Sequence, residues 1–114
     1  MLKGRMYLDF DDGDRKQHYE AEIPRCIDRE QEIAMEFQGD DPHTGAFQGK
    51  IKMDKSASGI AGDGQFRWAD GTVIDASIHG VIEYFNGQVI IEGQWLDESG
   101  GDEYELFIEL EAAD

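Results

Sequence analysis

Glu83-Tyr84-Phe85-Asn86-Gly87-Gln88-Val89-Ile90 is the stretch that decides how this chain folds. Asn-Gly between two runs of β-branched and aromatic residues is the preferred pair for a two-residue type I′ turn, because both central positions need φ > 0. A turn of that length fixes the register of its arms. It sets Tyr84 against Val89, Ile82 against Ile91, Gly80 against Gly93 and Ile78 against Trp95. Each of these residues is apolar or glycine, and the intervening positions fall on the opposite side of the sheet. The outcome is a long hairpin with one apolar face.

The same period of two continues in both directions from this hairpin and marks eight candidate strands. Two further turns test the pattern. In Arg67-Trp68-Ala69-Asp70-Gly71-Thr72-Val73-Ile74, a two-residue loop would mix polar and apolar faces. A three-residue loop over 69–71, with Gly71 in the left-handed bulge position, pairs Phe66 with Ile74, Gly64 with Ala76 and Gly62 with Ile78. In Phe10-Asp11-Asp12-Gly13-Asp14-Arg15, a two-residue loop at Asp12-Gly13 pairs Phe10 with Arg15, Leu8 with Gln17 and Met6 with Tyr19. Short connections in a repeating rhythm imply antiparallel neighbours.

Residues 24–30 break the rhythm. Cys26, Ile27, Glu30, Ile33, Ala34 and Phe37 fit a helical stripe, and Pro24 suits a first helical turn. Ile33, Met35 and Phe37 alternate cleanly, so the expectation is a turn or one short helix near residues 24–30 followed by a strand.

Glycine decides between an open and a closed arrangement. Gly4, Gly49, Gly62, Gly64, Gly80 and Gly93 all lie on the apolar parity, where glycine weakens a strand and packs nothing. Strongly coiled sheets have a use for such positions, because their concave side is crowded. The fold class expected is therefore all-β: an antiparallel up-and-down meander of about eight strands, closed or nearly closed into a barrel, in one domain spanning 1–114. A two-sheet sandwich and a curved sheet carrying a helix are the alternatives.

The last strand poses a question of charge. Tyr104, Leu106, Ile108 and Leu110 point one way, while Glu103, Glu105, Glu109 and Glu111 point the other. Closure would lay this strand beside the first, whose outward residues are Lys3, Arg5, Tyr7 and Asp9. Part of the carboxylate row would then face Lys3 and Arg5.

Over the whole chain, 26 acids against 10 bases give a formal charge of −16. From Trp68 onward there are twelve acids and no base. Such a field repels phosphate polymers and anionic lipid, so neither nucleic acid nor a membrane is an expected partner. Cys26 is the only cysteine, which rules out an intrachain disulfide. Lys3, Arg5 and Asp9 interrupt any apolar leader, and the expected location is cytoplasmic.

Motifs that carry chemistry are weak throughout. Asp75, Ser77 and His79 share one face of a strand, but a rise of roughly 6.6 Å between same-face neighbours defeats a proton relay. Asp9, Asp11, Asp14 and Glu20 only partly match a calcium loop, since Gly13 and Asp14 stand in reversed order. Asp40, Asp41 and His43 form a second, weaker acidic turn. His18, His43 and His79 lack metal-ligand spacing, and Cys26 has no nearby histidine. No enzymatic activity and no cofactor are expected.

Two features point to binding. Val73, Val81, Ile90, Leu96 and Phe107 have the solvent parity and, with Glu105 and Glu109, would form an acid-rimmed apolar surface for a protein partner or a homodimer. Trp68, Trp95, Tyr84 and Phe66 have the inward parity and could line a pocket, although the inward set carries no charged group and suits a filled core.

The strand spacing, the Asn-Gly hairpin and Gly93-Gln94-Trp95-Leu96-Asp97 together resemble the calycin-type barrels, which include the lipocalins and avidins. The lipocalin Gly-X-Trp belongs to the first strand, where this chain has Lys3-Gly4-Arg5-Met6 and no Trp, so no ligand-binding residue carries over. The expected function is a non-enzymatic acidic interaction module, inhibitor-like or immunity-like toward a basic protein or else self-associating. The alternative implied by the resemblance is a carrier of a small apolar ligand.

Overall fold

Each alternating run forms a strand in the computed structural model, which describes residues 1–113. The strands are β1 (Leu2–Asp11), β2 (Lys16–Asp28), β3 (Glu32–Asp41), β4 (Gly45–Ser56), β5 (Gly59–Trp68), β6 (Val73–Phe85), β7 (Gln88–Asp97) and β8 (Glu103–Ala112). Every strand pairs antiparallel with the next, and β8 returns to β1 to close the barrel. No helix occurs among the described residues, so none is long and apolar enough to cross a membrane.

The Asn86-Gly87 hairpin has the expected register, with Tyr84 opposite Val89, Ile82 opposite Ile91 and Ile78 opposite Trp95. Asn86 and Gly87 both have positive φ, at 50° and 79°, as a I′ turn demands. The bend after Trp68 also pairs Phe66 with Ile74 and Gly62 with Ile78, and Gly71 has φ 94°.

The first hairpin departs from expectation. Asp11 pairs with Lys16, so the connection is four residues rather than two, and Met6 meets Ala21 instead of Tyr19. Asp12 Oδ1 accepts hydrogen bonds from the backbone N–H groups of Asp14 (3.0 Å) and Arg15 (2.7 Å), which wraps the longer turn around one carboxylate. Those bonds, Arg15's first, hold the Asp12 carboxyl below its ordinary pKa. Because the slip is two residues, the faces of both strands are preserved.

The short helix expected near residues 24–30 is absent, and β2 runs through to Asp28. Ile23 and Cys26 are both buried, with Pro24 and Arg25 exposed between them. On β1, Gly4 pairs with Ile23 but Leu2 with Cys26; on β3, Gln38 pairs with Glu22 but Glu36 with Arg25. One extra residue in β2 accounts for both shifts. A bulge at Pro24, which has no N–H to give either neighbour, switches the inward parity and mimics a helical stripe.

The barrel is filled. Met6, Leu8, Ile23, Ile33, Phe37, Ile51, Met53, Ile91, Trp95, Ile108 and Leu110 are almost wholly buried in one continuous cluster. The inward glycines let strands approach closely: a Cβ on Gly93 would strike the His79 carbonyl oxygen, and one on Gly80 the Glu92 carbonyl oxygen.

The two ends close differently. At the end holding both termini, Lys55 Nζ donates to Asp28, to the Arg29 carbonyl (2.6 Å) and to Tyr84 Oη (2.7 Å), while Tyr84 donates to Asp28 Oδ2 (3.0 Å). Burial opposes the Lys55 ammonium, but the bonds to Asp28 and Tyr84 outweigh it and raise its pKa. At the other end the aromatic rings of Tyr19, Phe47, Phe66 and Trp68 stack inside a mouth.

Candidate functional site: an acidic outer face and an aromatic mouth

The outer face of β6, β7, β8 and β1 is built by rows of paired residues. One row runs Val81, Glu92, Phe107, Tyr7, Glu20, and the next runs Glu83, Ile90, Glu109, Arg5, Glu22. Ile90 and Phe107 are half-buried and Val81 is exposed, so these three form a small apolar group. Phe107 leans on Tyr7, and Tyr7 stacks on His18. Leu96 and Val73 are exposed toward the aromatic end, beside Ser77 and Arg67 respectively, and do not join that group. The apolar surface is therefore divided rather than continuous.

Register brings Lys3 opposite Glu111 and Arg5 opposite Glu109, as closure requires. The side chains answer differently. Arg5 turns to Glu20 at 3.8 Å, and among the described residues Glu92, Glu103, Glu105, Glu109 and Glu111 form no ion pair. The carboxylate row of the last strand thus faces outward beside Lys3 and Arg5 but unbridged by them among the described residues.

His18 is the exception within this field. Its ring nitrogens meet Asp9 and Glu20, the latter at 3.1 Å, and these hydrogen bonds, Asp9's first, raise its pKa above 6.5. Asp9 also stands opposite Glu105, and Arg5 lies near Glu20. A raised folded-state pKa stabilises the protein fully below the unfolded value of about 6.5, and that contribution fades as pH rises through the folded value. Relative to His18→Gln, the wild type should gain most in urea midpoint below the unfolded value of about 6.5, and the gap should shrink as pH rises through the raised folded-state value. A gap independent of pH would mean that the imidazole contributes only packing.

The mouth is the second candidate. Trp68, Trp95 and Phe66 lie around it, and a cavity of about 220 Å³ opens there between Tyr19, Tyr104 and Asp97. Trp95 Nε1 donates to Asp97 Oδ1 (2.7 Å), Tyr104 donates to Gln17 Oε1 (2.7 Å), and Arg15 Nη2 pairs with Asp102 Oδ2 at 2.8 Å. Burial pushes the Asp97 carboxyl up, partly offset by the indole bond, with nearby Asp102 adding to the rise.

Tyr84, expected in the pocket with these residues, is instead 56% exposed at the opposite end. Its strand runs past the rim of the barrel there, so the inward parity no longer leads to the interior. Asp97 was missed for the converse reason. It lies two residues beyond Trp95, on the same inward parity, and alternation alone would have put a carboxylate at the mouth.

A roomier hollow of about 710 Å³ lies outside, along β2 to β5. Arg5 and Arg67 there are mixed with Glu20, Glu22 and Asp40, which leaves no single charge to select a ligand. Asp75 accepts a hydrogen bond from Gln65 (3.1 Å) and Ser77 donates to Glu98 (3.2 Å), so no relay links Asp75, Ser77 and His79. Asp11 and Asp41 are occupied by backbone N–H groups of their own turns. Among the described residues, no group of three His, Cys, Asp or Glu is arranged to hold a metal. Cys26 is buried, which raises its thiol pKa to about 12.

Compared with protein-family models and with the curated proteins, the chain finds no match.

Proposed function

We propose that this chain is a non-enzymatic interaction module whose acidic face over β6 to β8 takes a basic protein partner, in the manner of an inhibitor or immunity protein. One observation carries the reading: Glu92, Glu105 and Glu109 surround Ile90 and Phe107 without an ion pair among the described residues. Unmatched charge of one sign steers encounter with a partner of the other, and the apolar centre supplies contact area once the two meet. A homodimer through this face fits less well, since a self-complementary interface would bring the same carboxylates together.

The rival reading, a carrier of a small apolar ligand in a calycin-like interior, draws on the closed eight-stranded architecture and on Trp68, Trp95 and Phe66 at the mouth. The filled core stands against it.

Chemical cross-linking in extract at two salt concentrations tests the leading reading. A basic protein should be cross-linked at low salt and should escape cross-linking at roughly 0.5 M salt, where screening acts within about 4 Å. The triple variant Glu105→Gln, Glu109→Gln, Ile90→Ser should lose the complex. Glu36→Gln with Asp54→Asn, which removes similar charge from the β3–β4 face, should keep it. Equal loss in both variants would reduce the effect to net charge and sink the assignment of the face.

A further inference from the structure

The mouth cavity carries charges and rings that a purely apolar guest would not use. Asp97 stands on the interior parity of β7 but at its last residue, where the barrel wall ends. Trp95 occupies only one of its carboxylate oxygens; Oδ2 accepts no hydrogen bond from the described residues. The position of Asp97 is set by the backbone: its N–H donates to the Asp102 carbonyl (2.9 Å), and its carbonyl accepts from Gly101 N–H (2.9 Å). The site is thus held in place before any ligand arrives.

Charge at the mouth does not balance. Asp102 is paired with Arg15, whose guanidinium also lies over the Phe10 ring at 4.7 Å from its centre. Asp97 has no cationic partner among the described residues. One negative charge is left over beside walls made of Tyr19, Trp68, Trp95 and Tyr104. Aromatic faces attract cations through their quadrupoles, and a half-buried carboxylate adds a charged acceptor.

We propose that this cavity binds a small organic ammonium ion, its N–H directed at Asp97 and its hydrocarbon body against Tyr19 and Trp68. Size sets the upper limit, because about 220 Å³ is below the roughly 300–1,000 Å³ of pockets that hold drug-sized ligands. A guest with one ring and a short amine fits that limit. A neutral guest of the same shape would desolvate Asp97 with at most an uncharged hydrogen bond in return, and an anion would meet its charge directly. A bare metal ion would find one free carboxylate and aromatic walls, not the six or more oxygens that calcium takes.

The test uses the whole chain and three probes of one shape: benzylammonium, benzyl alcohol and benzoate. Titrations are followed by the indole N–H signals of Trp68 and Trp95 in nitrogen-15 NMR spectra. Benzylammonium should shift the Trp95 signal saturably, benzyl alcohol should bind about ten-fold more weakly, and benzoate should leave both signals in place. Asp97→Asn keeps an acceptor for the indole and should erase the preference for the cation. Equal binding of benzyl alcohol would overturn the proposal in favour of an apolar guest. A preference that survives in Asp97→Asn would also overturn it, by assigning the cation to the general field. If that variant fails to fold, the three probes on the unaltered protein still decide.

Discussion

Gly4→Ala should lower stability by about 3 kcal/mol, at the upper end of the cost of overpacking a tight site. Gly4 sits where the barrel closes, paired with Leu110 on β8 and with Ile23 on β2. An added Cβ would land on the Glu109 carbonyl oxygen, with the carbonyl carbon at 2.8 Å and Leu110 Cα at 2.9 Å. All three atoms are backbone, so no rotamer change can make room, and the only relief is to part β1 from β8. Gly100→Ala serves as the comparison, because nothing lies within 4 Å of its added Cβ. That change should stay within about 0.5 kcal/mol, as surface substitutions do. Urea unfolding read by circular dichroism gives both values, and amide exchange along β1 and β8 locates the damage. If Gly4→Ala matched Gly100→Ala in stability, the β1–β8 pairing would not be the closure described.

Much of this closure is legible in the sequence. Asn86-Gly87 and the 69–71 loop each left one register that kept polarity consistent across a hairpin, and both registers are present. Glycines on the apolar parity signalled strand crowding, which the clashes at Gly80 and Gly93 bear out. What sequence could not convey were choices among local arrangements that preserve polarity. A slip of two residues in the first hairpin leaves every face intact, so alternation could not distinguish a two-residue turn from the four-residue turn around Asp12. The bulge at Pro24 was visible as a break in parity, yet a parity break and a helical stripe share Cys26, Ile27 and Ile33. Side-chain direction was hidden as well: the register placed Arg5 opposite Glu109, but Arg5 reaches for Glu20. At the barrel ends, parity stops reporting burial, which is why Tyr84 is outside and Asp97 is at the mouth.

Trp95→Ala should cost about 3–5 kcal/mol, the range for deleting a large buried aromatic side chain. Trp95 is 1% exposed, meets Phe37 edge-on at 6.2 Å between ring centres, and lies against Gly64, which has no side chain to collapse into the void. The value decides more than stability. In a hollow carrier the indole would border empty space, and its removal would enlarge an existing cavity at small cost; in a filled barrel the neighbours lose contacts that nothing replaces. Urea midpoints for the wild type, Trp95→Phe and Trp95→Ala supply the comparison, with the phenylalanine variant expected to retain most of the core contacts but to leave Asp97 without its indole donor. A loss below about 1 kcal/mol for Trp95→Ala would indicate a slack interior and move the functional reading toward the carrier. A full loss would leave the bulk of the barrel as scaffold and no room in it for a guest, so that the proposed binding would rest on the acidic outer face and the small chamber at the aromatic end.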